Sequence, residues 1–499
     1  MPDTAESKLI WWREKPVWII LLLGFSAGVP LLLIFSSLSL WLREAGVSKS
    51  EVTYFSWAAL GYSFKFVWAP LVDKLPLPVL SRLFGRRRGW LLLAQLAVMA
   101  SIALMAMTNP QGNLTMMAVA AVMLGFSAAT QDVVIDAYRI ESADERLQAL
   151  LSSSYIAGYR VGMIAAGAGA LYLAQGFGST AEVYSYTAWR NTYLCMAGVM
   201  LVGLITTLLI SEPTARGNNS YPYSAKAYSR FFIAFLLAIS AFVLVLLEAP
   251  AAPVAFAGVS QHVVAFFYQA LVLVVGGVAA LVVFSGLLRA GLVDRELLAE
   301  SYTQPIMDFI RRYGRVALWV LLLIGFYRVS DIVLGVIANV FYQDMGYSKD
   351  EIASVTKIFG VLMTIAGSFL GGLLTLKYGV MRMLMAGAVS VSLANLAFMW
   401  LAGIEANLSA LIVVIAADNL SGGLAVAAFV AWLSSLTNVS FTATQYAVFS
   451  SLMTLFPKLL GGYSGVVVET VGYSNFFLLA SLLGVPVMVL IAFVARRLK

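Results

Sequence analysis

Two carboxylates stand four residues apart inside an apolar stretch of this chain, MLGFSAATQDVVIDAYR at positions 123–139. On a helix, Asp132 and Asp136 would lie on one face, because side chains four residues apart are neighbours. Poor hydration raises the proton affinity of a carboxylate, and a nearby cation lowers it again. The pair therefore predicts proton coupling, with Asp132 as the proton-binding site and Asp136, which is nearer the helix end, at a gate.

Charged residues also interrupt several other apolar runs. A charge at the centre of a bilayer costs several kcal/mol, so such groups must face a polar cavity or one another. A rise of about 1.5 Å per residue places Lys65 level with Asp132, and Arg160 and Arg328 near mid-depth. We therefore expect these charges to converge on one cavity that binds a polar, anionic and fairly large ligand. The charges are Lys65, Asp132, Arg160, Arg328, Lys357 and Asp418.

Structural roles are the alternative for the charges of the first half of the chain. Asp136 can extend to the membrane surface, or pair with the arginines at 86–88 as a latch of the gate. Asp132 can form a fixed ion pair with Lys65 or Arg160. Both interpretations stay open at this point, because the sequence alone does not distinguish a fixed ion pair from a proton site.

Similar alternatives hold for the second half and for the aromatic residues. Arg328 and Asp331 are three residues apart on one helical face and can neutralise each other. Asn419 can bond across a helix interface that neighbouring glycines bring close. Tyr62 and Tyr159 flank buried charges and can either pack or stack on a sugar ring.

The composition explains why these charges are unusual. The chain of 499 residues is 61% apolar and 11% charged, with a mean hydropathy of +0.89. Soluble domains are about half apolar and a quarter charged, so we predict an all-α polytopic membrane protein whose partner is the lipid bilayer. One Cys and one His argue against metal sites and disulfides. We expect no cofactor besides the coupling proton, no nucleic-acid partner, no cleaved signal peptide and no enzymatic activity.

Fourteen membrane spans are predicted from the apolar runs. Most Lys and Arg fall on one side of this arrangement, and positive charge stays inside, so both termini are predicted to be cytoplasmic. The predicted spans are 17–42, 52–73, 89–108, 114–138, 149–174, 189–211, 230–249, 264–288, 315–342, 351–376, 382–402, 408–436, 445–468 and 474–495.

An internal repeat predicts the domain organisation. GVSKSEV at 46–52 returns as GYSKDEI at 346–352, and the loop with Asp73, Lys74 and Arg86–Arg88 has a weaker counterpart at 371–382. Two six-helix halves, with two extra helices between them, explain both matches. The predicted divisions are a cytoplasmic N-terminus 1–16, a first bundle 17–212, a linker 213–314 with an amphipathic connector, a second bundle 315–495 and a C-terminus 496–499.

Six motifs follow one another along the two halves of the chain. They are GFSAGVP (24–30), FKFVWAPLVD (64–73), FGRRRGW (84–90), ATQDVVIDAY (129–138), GYRVGM (158–163) and SFTATQYAVFSSL (440–452). This ordered set resembles the motifs of the bacterial inner-membrane muropeptide permeases of the major facilitator superfamily. The resemblance implies proton-motive-force-dependent import of N-acetylglucosaminyl-1,6-anhydro-N-acetylmuramyl peptides from periplasm to cytoplasm. Such import serves peptidoglycan recycling and supplies the signal for β-lactamase induction. The motif positions carried over are Lys65, Asp132, Asp136, Arg160 and Gln445.

Together, the residues and the resemblance give a set of candidate sites. The motifs do not cover the 213–314 linker. Its two extra helices can serve as a structural brace, as a lateral wall for a large ligand or as a partner contact, and we favour the brace. We expect the protein to be a monomer. A carrier of another peptide, sugar or acyl conjugate, or a membrane-embedded enzyme or sensor, remains an alternative. The substrate-binding candidates are Tyr62, Lys65, Gln131, Tyr159, Arg160, Arg328, Asp331, Lys357, Asp418, Asn419 and Gln445. The cytoplasmic-gate candidates are Asp73, Lys74, Arg86, Arg87 and Arg88.

Overall fold

A computed structural model describes residues 14–47, 55, 60–144, 147–180, 183–213, 222–250, 253, 261–461 and 464–497, and every regular element in them is helical. The N-terminal half contains Lys15–Ile34, Ser36–Glu44, Leu60–Phe64, Ala69–Lys74, Leu80–Phe84, Arg86–Ala106, Leu114–Glu141, Gln148–Ile164, Ala170–Gly176, Tyr186–Val199 and Leu201–Leu209. The middle segment contains Ala225–Leu247, Gln261–Arg289, Arg295–Leu298 and Gln304–Tyr313. The C-terminal half contains Ala317–Phe326, Val329–Asp344, Lys349–Ile352, Gly360–Tyr378, Val380–Leu401, Leu408–Leu436, Thr442–Gly461, Ser464–Leu482 and Gly484–Arg497.

Shorter π and 3₁₀ turns join some of these helices. The π-helical turns are Ala165–Gly169, Ala299–Thr303 and Ala353–Phe359, and the 3₁₀ turns are Lys65–Val67, Gly314–Val316 and Val439–Phe441. Such turns let a membrane helix change direction while its backbone groups stay hydrogen-bonded. Interrupted helices of this kind recur at the charged positions described below.

Twelve helices in the described residues are long and apolar enough to cross a membrane. The two long helices of the middle segment are among them, as Ala225–Leu247 and Leu271–Arg289. The predicted span 52–73 lies partly outside the described residues, and the predicted span 445–468 corresponds to Thr442–Gly461, which is not among the twelve. The count of fourteen spans therefore stays a prediction.

Matching glycine turns occur at equivalent places in the two halves. Gly46 and Gly346 have φ values of 84° and 90°, and each follows a helix end. In both turns the next amide donates to the carbonyl five residues earlier, at 2.9 and 3.1 Å. Gly85 and Gly379 likewise have positive φ and precede the helices that follow. Because only glycine adopts this conformation without strain, the repeated positions agree with an internal repeat.

Close glycine packing aligns two long helices of the N-terminal half. Helix Lys15–Ile34 and helix Gln148–Ile164 approach so closely that a Cβ at Gly158 or Gly162 would collide with a backbone carbonyl of the facing helix. Gly28 meets the backbone of Gln148–Ile164 in the same way. This small-residue packing fixes the position of a helix that carries several candidate site residues.

The two halves also contact each other directly. Helix Gln148–Ile164 of the N-terminal half packs on helix Gly360–Tyr378 of the C-terminal half. There Ser153 Oγ donates to the carbonyl of Ser368 at 2.7 Å, and Gly372 leaves room for the same hydroxyl. Ser153 and Gly372 lie near the helix ends that the charge distribution predicts to be cytoplasmic.

The chain divides into two compact units. The first comprises Met1–Val72, Leu77–Asn218 and Arg312–Lys499, and the second comprises Asp73–Pro76 and Asn219–Arg311. In the second unit, Phe231 packs against Phe284 and Tyr302, with ring centroids 6.2 and 6.4 Å apart. The middle segment thus has an aromatic core of its own.

Candidate functional site

A lysine and two aspartates form a buried cluster in the N-terminal half. Lys65 Nζ lies 2.5 Å from Asp132 Oδ2 and 3.9 Å from Asp136 Oδ2. The exposed fractions of the three side chains are 6%, 14% and 6%. The spacing of the two aspartates places both carboxylates toward one ammonium group, as a helical face predicts. This cluster can hold a proton and redistribute charge when it does so.

An interruption of its helix positions Lys65. Leu60–Phe64 ends at a residue with φ −104° and ψ 8°, and the 3₁₀ turn Lys65–Val67 follows. Trp68 closes that turn, and its Nε1 donates to Thr130 Oγ1 at 3.1 Å. Since Thr130 lies two residues before Asp132, this bond holds the lysine turn beside the carboxylates.

Two tyrosines on helix Gln148–Ile164 complete this side of the site. Tyr155 Oη donates to Asp132 Oδ1, on the oxygen that Lys65 leaves available. Tyr159 lies one turn further along, and its ring centroid is 5.9 Å from that of Tyr155. The glycine packing described above sets the depth of both rings. Asp132 therefore has a charged partner and a neutral partner on separate oxygens.

Arg139 connects the cluster to the C-terminal half. Its guanidinium is fully buried, and Nη2 lies 3.4 Å from Asp136 Oδ1. Its Nη1 donates to Ser152 Oγ at 3.0 Å and, across the two halves, to Ser434 Oγ at 2.9 Å. The same guanidinium lies 5.3 Å from the centroid of the Tyr446 ring. Arg139 was not among the sequence candidates, although its position three residues after Asp136 is a signal that could have identified it.

The C-terminal half contributes a second charged group. Arg328 Nη2 lies 2.6 Å from Asp331 Oδ2, the neutralising pair that their spacing suggested. Helix Ala317–Phe326 ends just before Arg328, which has φ −98° and ψ 10° and starts Val329–Asp344. Here too an interrupted helix presents a cation, as it does at Lys65. Such broken helices line binding sites in many transporters.

Asp418 and Asn419 lie on helix Leu408–Leu436. Asn419 Oδ1 accepts from Thr364 Oγ1 at 2.8 Å, and its Nδ2 donates to the Ile415 carbonyl at 3.0 Å. The bond to Thr364 joins helices Gly360–Tyr378 and Leu408–Leu436, as the structural interpretation of Asn419 suggested, whereas the bond to Ile415 lies within one helix. Asp418 has a looser contact, since Asn419 Nδ2 lies 3.5 Å from its Oδ2.

One cavity of about 390 Å³ brings these groups from both halves together. Its volume is near the lower end of the roughly 300–1,000 Å³ typical of small-molecule sites. Its wall also includes Tyr155, Met163, Thr364, Tyr446 and Ser450. The predicted site residues that line it are Tyr62, Lys65, Asp132, Asp136, Tyr159, Arg160, Arg328, Asp331, Asp418 and Asn419.

Three predicted substrate residues have other surroundings. Gln131 is fully buried, and its Nε2 donates to Ser26 Oγ at 3.3 Å rather than lining the cavity. Gln445 Oε1 accepts from Arg312 Nη2 at 3.0 Å and from the Asn438 amide at 2.8 Å, outside the cavity wall. The backbone of Lys357 belongs to the π-helical turn Ala353–Phe359, but its side chain lies outside the described residues.

The arginines predicted to belong to the cytoplasmic gate contact two glutamates. Arg87 Nε lies 3.1 and 3.0 Å from the two oxygens of Glu141, both side chains are 1% exposed, and Arg86 lies 3.6 Å from the same carboxylate. The amides of Arg87 and Arg88 donate to Glu212 at 2.8 and 3.0 Å. The suggested pairing of these arginines with Asp136 is therefore corrected, because Glu141 takes that place and Asp136 faces the cavity.

The remaining gate candidates belong to the second compact unit. Lys74 Nζ lies 3.6 Å from Glu300 Oε2, within that unit. Asp73 precedes it at the end of helix Ala69–Lys74 and is 3% exposed. The five candidates are thus divided between the two units, with Asp73 and Lys74 in one and the three arginines in the other.

Comparison with known proteins gives the family and the fold. The sequence profile of the Major Facilitator Superfamily matches residues 20–327. A proton:xylose symporter, XylE, has a similar structure with a TM-score of 0.60, 13% identity, and coverage of 95% of this chain and 94% of that one. The Escherichia coli fucose:proton symporter FucP has a TM-score of 0.62 and 11% identity, covering 96% and 98%. At these identities the solved structures support the fold alone.

Curated relatives are similar over nearly the whole chain. The putative transporter AmpG 4 of Rickettsia felis is 28% identical over 487 residues, which cover 98% of each chain. The anhydromuropeptide permease of Escherichia coli K12 is 27% identical over 483 residues, covering 96% of this chain and 80% of that one. These similarities confirm the resemblance inferred from the motifs.

Proposed function

Since this chain belongs to the Major Facilitator Superfamily and is a multi-pass transporter rather than an enzyme, we propose that it imports anhydromuropeptides in symport with protons. Transport runs from periplasm to cytoplasm across the bacterial inner membrane, by alternating access and in a monomer. The observation that carries the proposal is the Lys65–Asp132–Asp136 cluster in a cavity lined by both halves. The name of the Escherichia coli relative supports the substrate class.

Coupling rests on competition between a proton and Lys65 for the carboxylate of Asp132. An ionised Asp132 is stabilised by Lys65 at 2.5 Å and by the Tyr155 hydroxyl. A proton on Asp132 would remove the attraction that holds Lys65, and would let the carboxyl be occluded without an unpaired charge. Protonation and closure of the cavity therefore favour each other. This reciprocity is what symport requires.

The gate rests on Arg139. Its bond to Ser434 joins the two halves, while its other side contacts Asp136 of the proton cluster. The distribution of Lys and Arg predicts that this end is cytoplasmic, and on that orientation the bond belongs to a state closed toward the cytoplasm. A change of charge at Asp136 would alter its electrostatic attraction to Arg139. It would thereby change the stability of the state that is closed toward the cytoplasm. The proton site and the gate thus share one hydrogen-bonded connection.

A sugar-containing ligand fits the aromatic and polar wall of the cavity. Tyr62 and Tyr159 both line it, and the buried Tyr62 hydroxyl has no hydrogen-bond partner among the described residues. A sugar hydroxyl can hydrogen-bond to the Tyr62 hydroxyl while the sugar ring stacks on the aromatic face of a tyrosine. Because the volume of about 390 Å³ is small for a disaccharide peptide, full binding requires the halves to separate further.

The test is uptake by purified protein in liposomes. A labelled anhydromuropeptide should accumulate inside when an inward proton gradient is imposed, and should only equilibrate when a protonophore removes it. Excess unlabelled anhydromuropeptide should compete, whereas equal concentrations of free sugar or unrelated peptide should not. Competition by a different sugar or peptide conjugate instead would transfer the proposal to that conjugate. Folded protein that carries no muropeptide under either condition would refute it.

A further inference from the structure

The charges that line the cavity are not all paired within the protein. Lys65 faces Asp132 and Asp136, and Arg328 faces Asp331. In the described part of the chain, two lining charges remain outside these ion pairs. They are Arg160 and Asp418, one cation and one anion.

Arg160 is the unpaired cation, on helix Gln148–Ile164 of the N-terminal half. Its described polar contact is a weak one, from Nη1 to Met163 Sδ at 3.9 Å. Arg328 and Asp331 lie within electrostatic range of Arg160, but they pair with each other at 2.6 Å, which leaves Arg160 outside that ion pair. Planar guanidinium groups bind carboxylates through two parallel hydrogen bonds. An anionic group of the ligand would satisfy Arg160.

Asp418 is the unpaired anion, on helix Leu408–Leu436 of the C-terminal half. Its contact with the Asn419 amide is long, at 3.5 Å, and that amide also donates to a backbone carbonyl. The nearby Asp331 is also negative and is held by Arg328. A carboxylate in this position favours a positively charged partner, because an unpaired charge is costly in a poorly hydrated site.

We propose that Arg160 and Asp418 recognise the peptide part of the substrate as a zwitterion. Arg160 binds a free carboxylate of the peptide, and Asp418 binds a free ammonium group. The inference rests on the proposed transport of anhydromuropeptides and specifies which chemical groups of the substrate are recognised. Because the two residues belong to opposite halves, a ligand with both groups bridges the halves and favours their closure around it.

The charged groups of the stem peptide make recognition by Arg160 and Asp418 selective. A stem peptide that includes a diamino acid carries both a free amine and free carboxylates, whereas the peptide-free disaccharide has no amine and only the lactyl carboxylate of its muramyl residue. The aromatic wall with Tyr62 and Tyr159 can bind the sugar in both cases. The zwitterion pair therefore distinguishes peptide-bearing from peptide-free fragments.

The test measures binding to the full chain in lipid nanodiscs with four chemically defined probes. These are a disaccharide-peptide with a free side-chain amine, the same compound N-acetylated, the same compound with its carboxylates converted to carboxamides, and the disaccharide with its lactyl carboxylate converted to a carboxamide. Wild type is compared with Asp418→Asn and Arg160→Gln. Retained affinity for the uncharged disaccharide, which has neither of the groups assigned to Arg160 and Asp418, shows that each variant keeps a folded sugar site.

The expected pattern is a specific loss of discrimination. Wild type should lose about ten- to a hundredfold in affinity on acetylation or amidation, the range for a hydrogen bond to a charged group. Asp418→Asn should bind the free and acetylated amines equally, and Arg160→Gln should bind the carboxylate and carboxamide forms equally. A wild type that is indifferent to both modifications overturns the inference, as does a variant that still discriminates.

Failure of the proposed function has a different signature. If wild type binds no muropeptide but binds a free diamino-acid tripeptide, and each variant loses its matching discrimination, the zwitterion site stands and the muropeptide assignment fails. If Asp418→Asn loses gradient-driven uptake yet keeps the acetylation penalty, Asp418 is a proton site and the inference is refuted.

Discussion

Replacing Ser434 with alanine should weaken the closure between the two halves. Ser434 accepts a hydrogen bond from Arg139 at 2.9 Å, and the two residues belong to opposite halves. Arg139 also donates to Ser152 at 3.0 Å, but Ser152 lies in the same half. Ser152→Ala is therefore a matched control, because it removes an equivalent bond to the same guanidinium without removing a connection between the halves.

The expected magnitude follows from the burial of both partners. Arg139 is 0% and Ser434 is 4% exposed, so water cannot replace the lost bond in the closed state. A hydrogen bond to a charged group contributes about 1.5–3 kcal/mol. At about 1.4 kcal/mol per factor of ten, the ratio of closed to open molecules should fall roughly ten- to a hundredfold. Ser152→Ala should lower stability but leave that ratio within about twofold of wild type, since it acts on both states alike.

Distance measurements between spin labels can report this ratio. Labels at Ala143→Cys and Ser440→Cys, in a background where Cys195 is replaced by alanine, lie near the ends of the two halves that Arg139 joins. Ser434→Ala should increase the population of the longer distance, and Ser152→Ala should not. Equal distributions in the two variants would refute the role of Arg139 as a connection between the halves.

Two further predictions concern stability, measured as thermal unfolding in detergent. Glu141→Leu should cost about 3–5 kcal/mol, because it removes the carboxylate that faces the buried guanidinium of Arg87. The double variant Arg87→Met with Glu141→Leu should recover most of that loss, and a single variant as stable as wild type would contradict the reasoning. Gly158→Ala should cost about 1–3 kcal/mol, since its Cβ would collide with a facing carbonyl. Gly198→Ala, a helical glycine with open space around it, should be neutral or slightly stabilising; similar losses in both alanine variants would show that the close helix packing is not the cause.

The convergence of buried charges was predictable because helical geometry is regular. The rise per residue put Lys65 and Asp132 at one depth, and the structure pairs them at 2.5 Å. The three-residue spacing of Arg328 and Asp331 likewise suggested an ion pair, which is present. In both cases local periodicity and the cost of an unpaired charge in a bilayer were sufficient.

Contacts between distant segments could not be predicted in this way. Arg87 and Glu141 are 54 positions apart, and nothing in their spacing marks them as partners. The contact between Tyr155 and Asp132 depends on how closely two helices approach, which glycine positions determine only in three dimensions. Gln445 was inferred from a motif, and its position beside Arg312 depends on a turn that the motif does not describe.

The role of Asp132 as the coupling carboxylate is tested most directly by substrate-driven proton movement in liposomes. Addition of anhydromuropeptide should make the external medium more alkaline with wild type as protons enter with the substrate. Asp132→Asn should abolish this change while retaining exchange of labelled for unlabelled substrate. Asp344→Asn, the same substitution at a carboxylate that bonds Tyr473 outside the cavity, is the matched control and should behave as wild type. Proton movement in Asp132→Asn equal to that of wild type would contradict the proposed coupling.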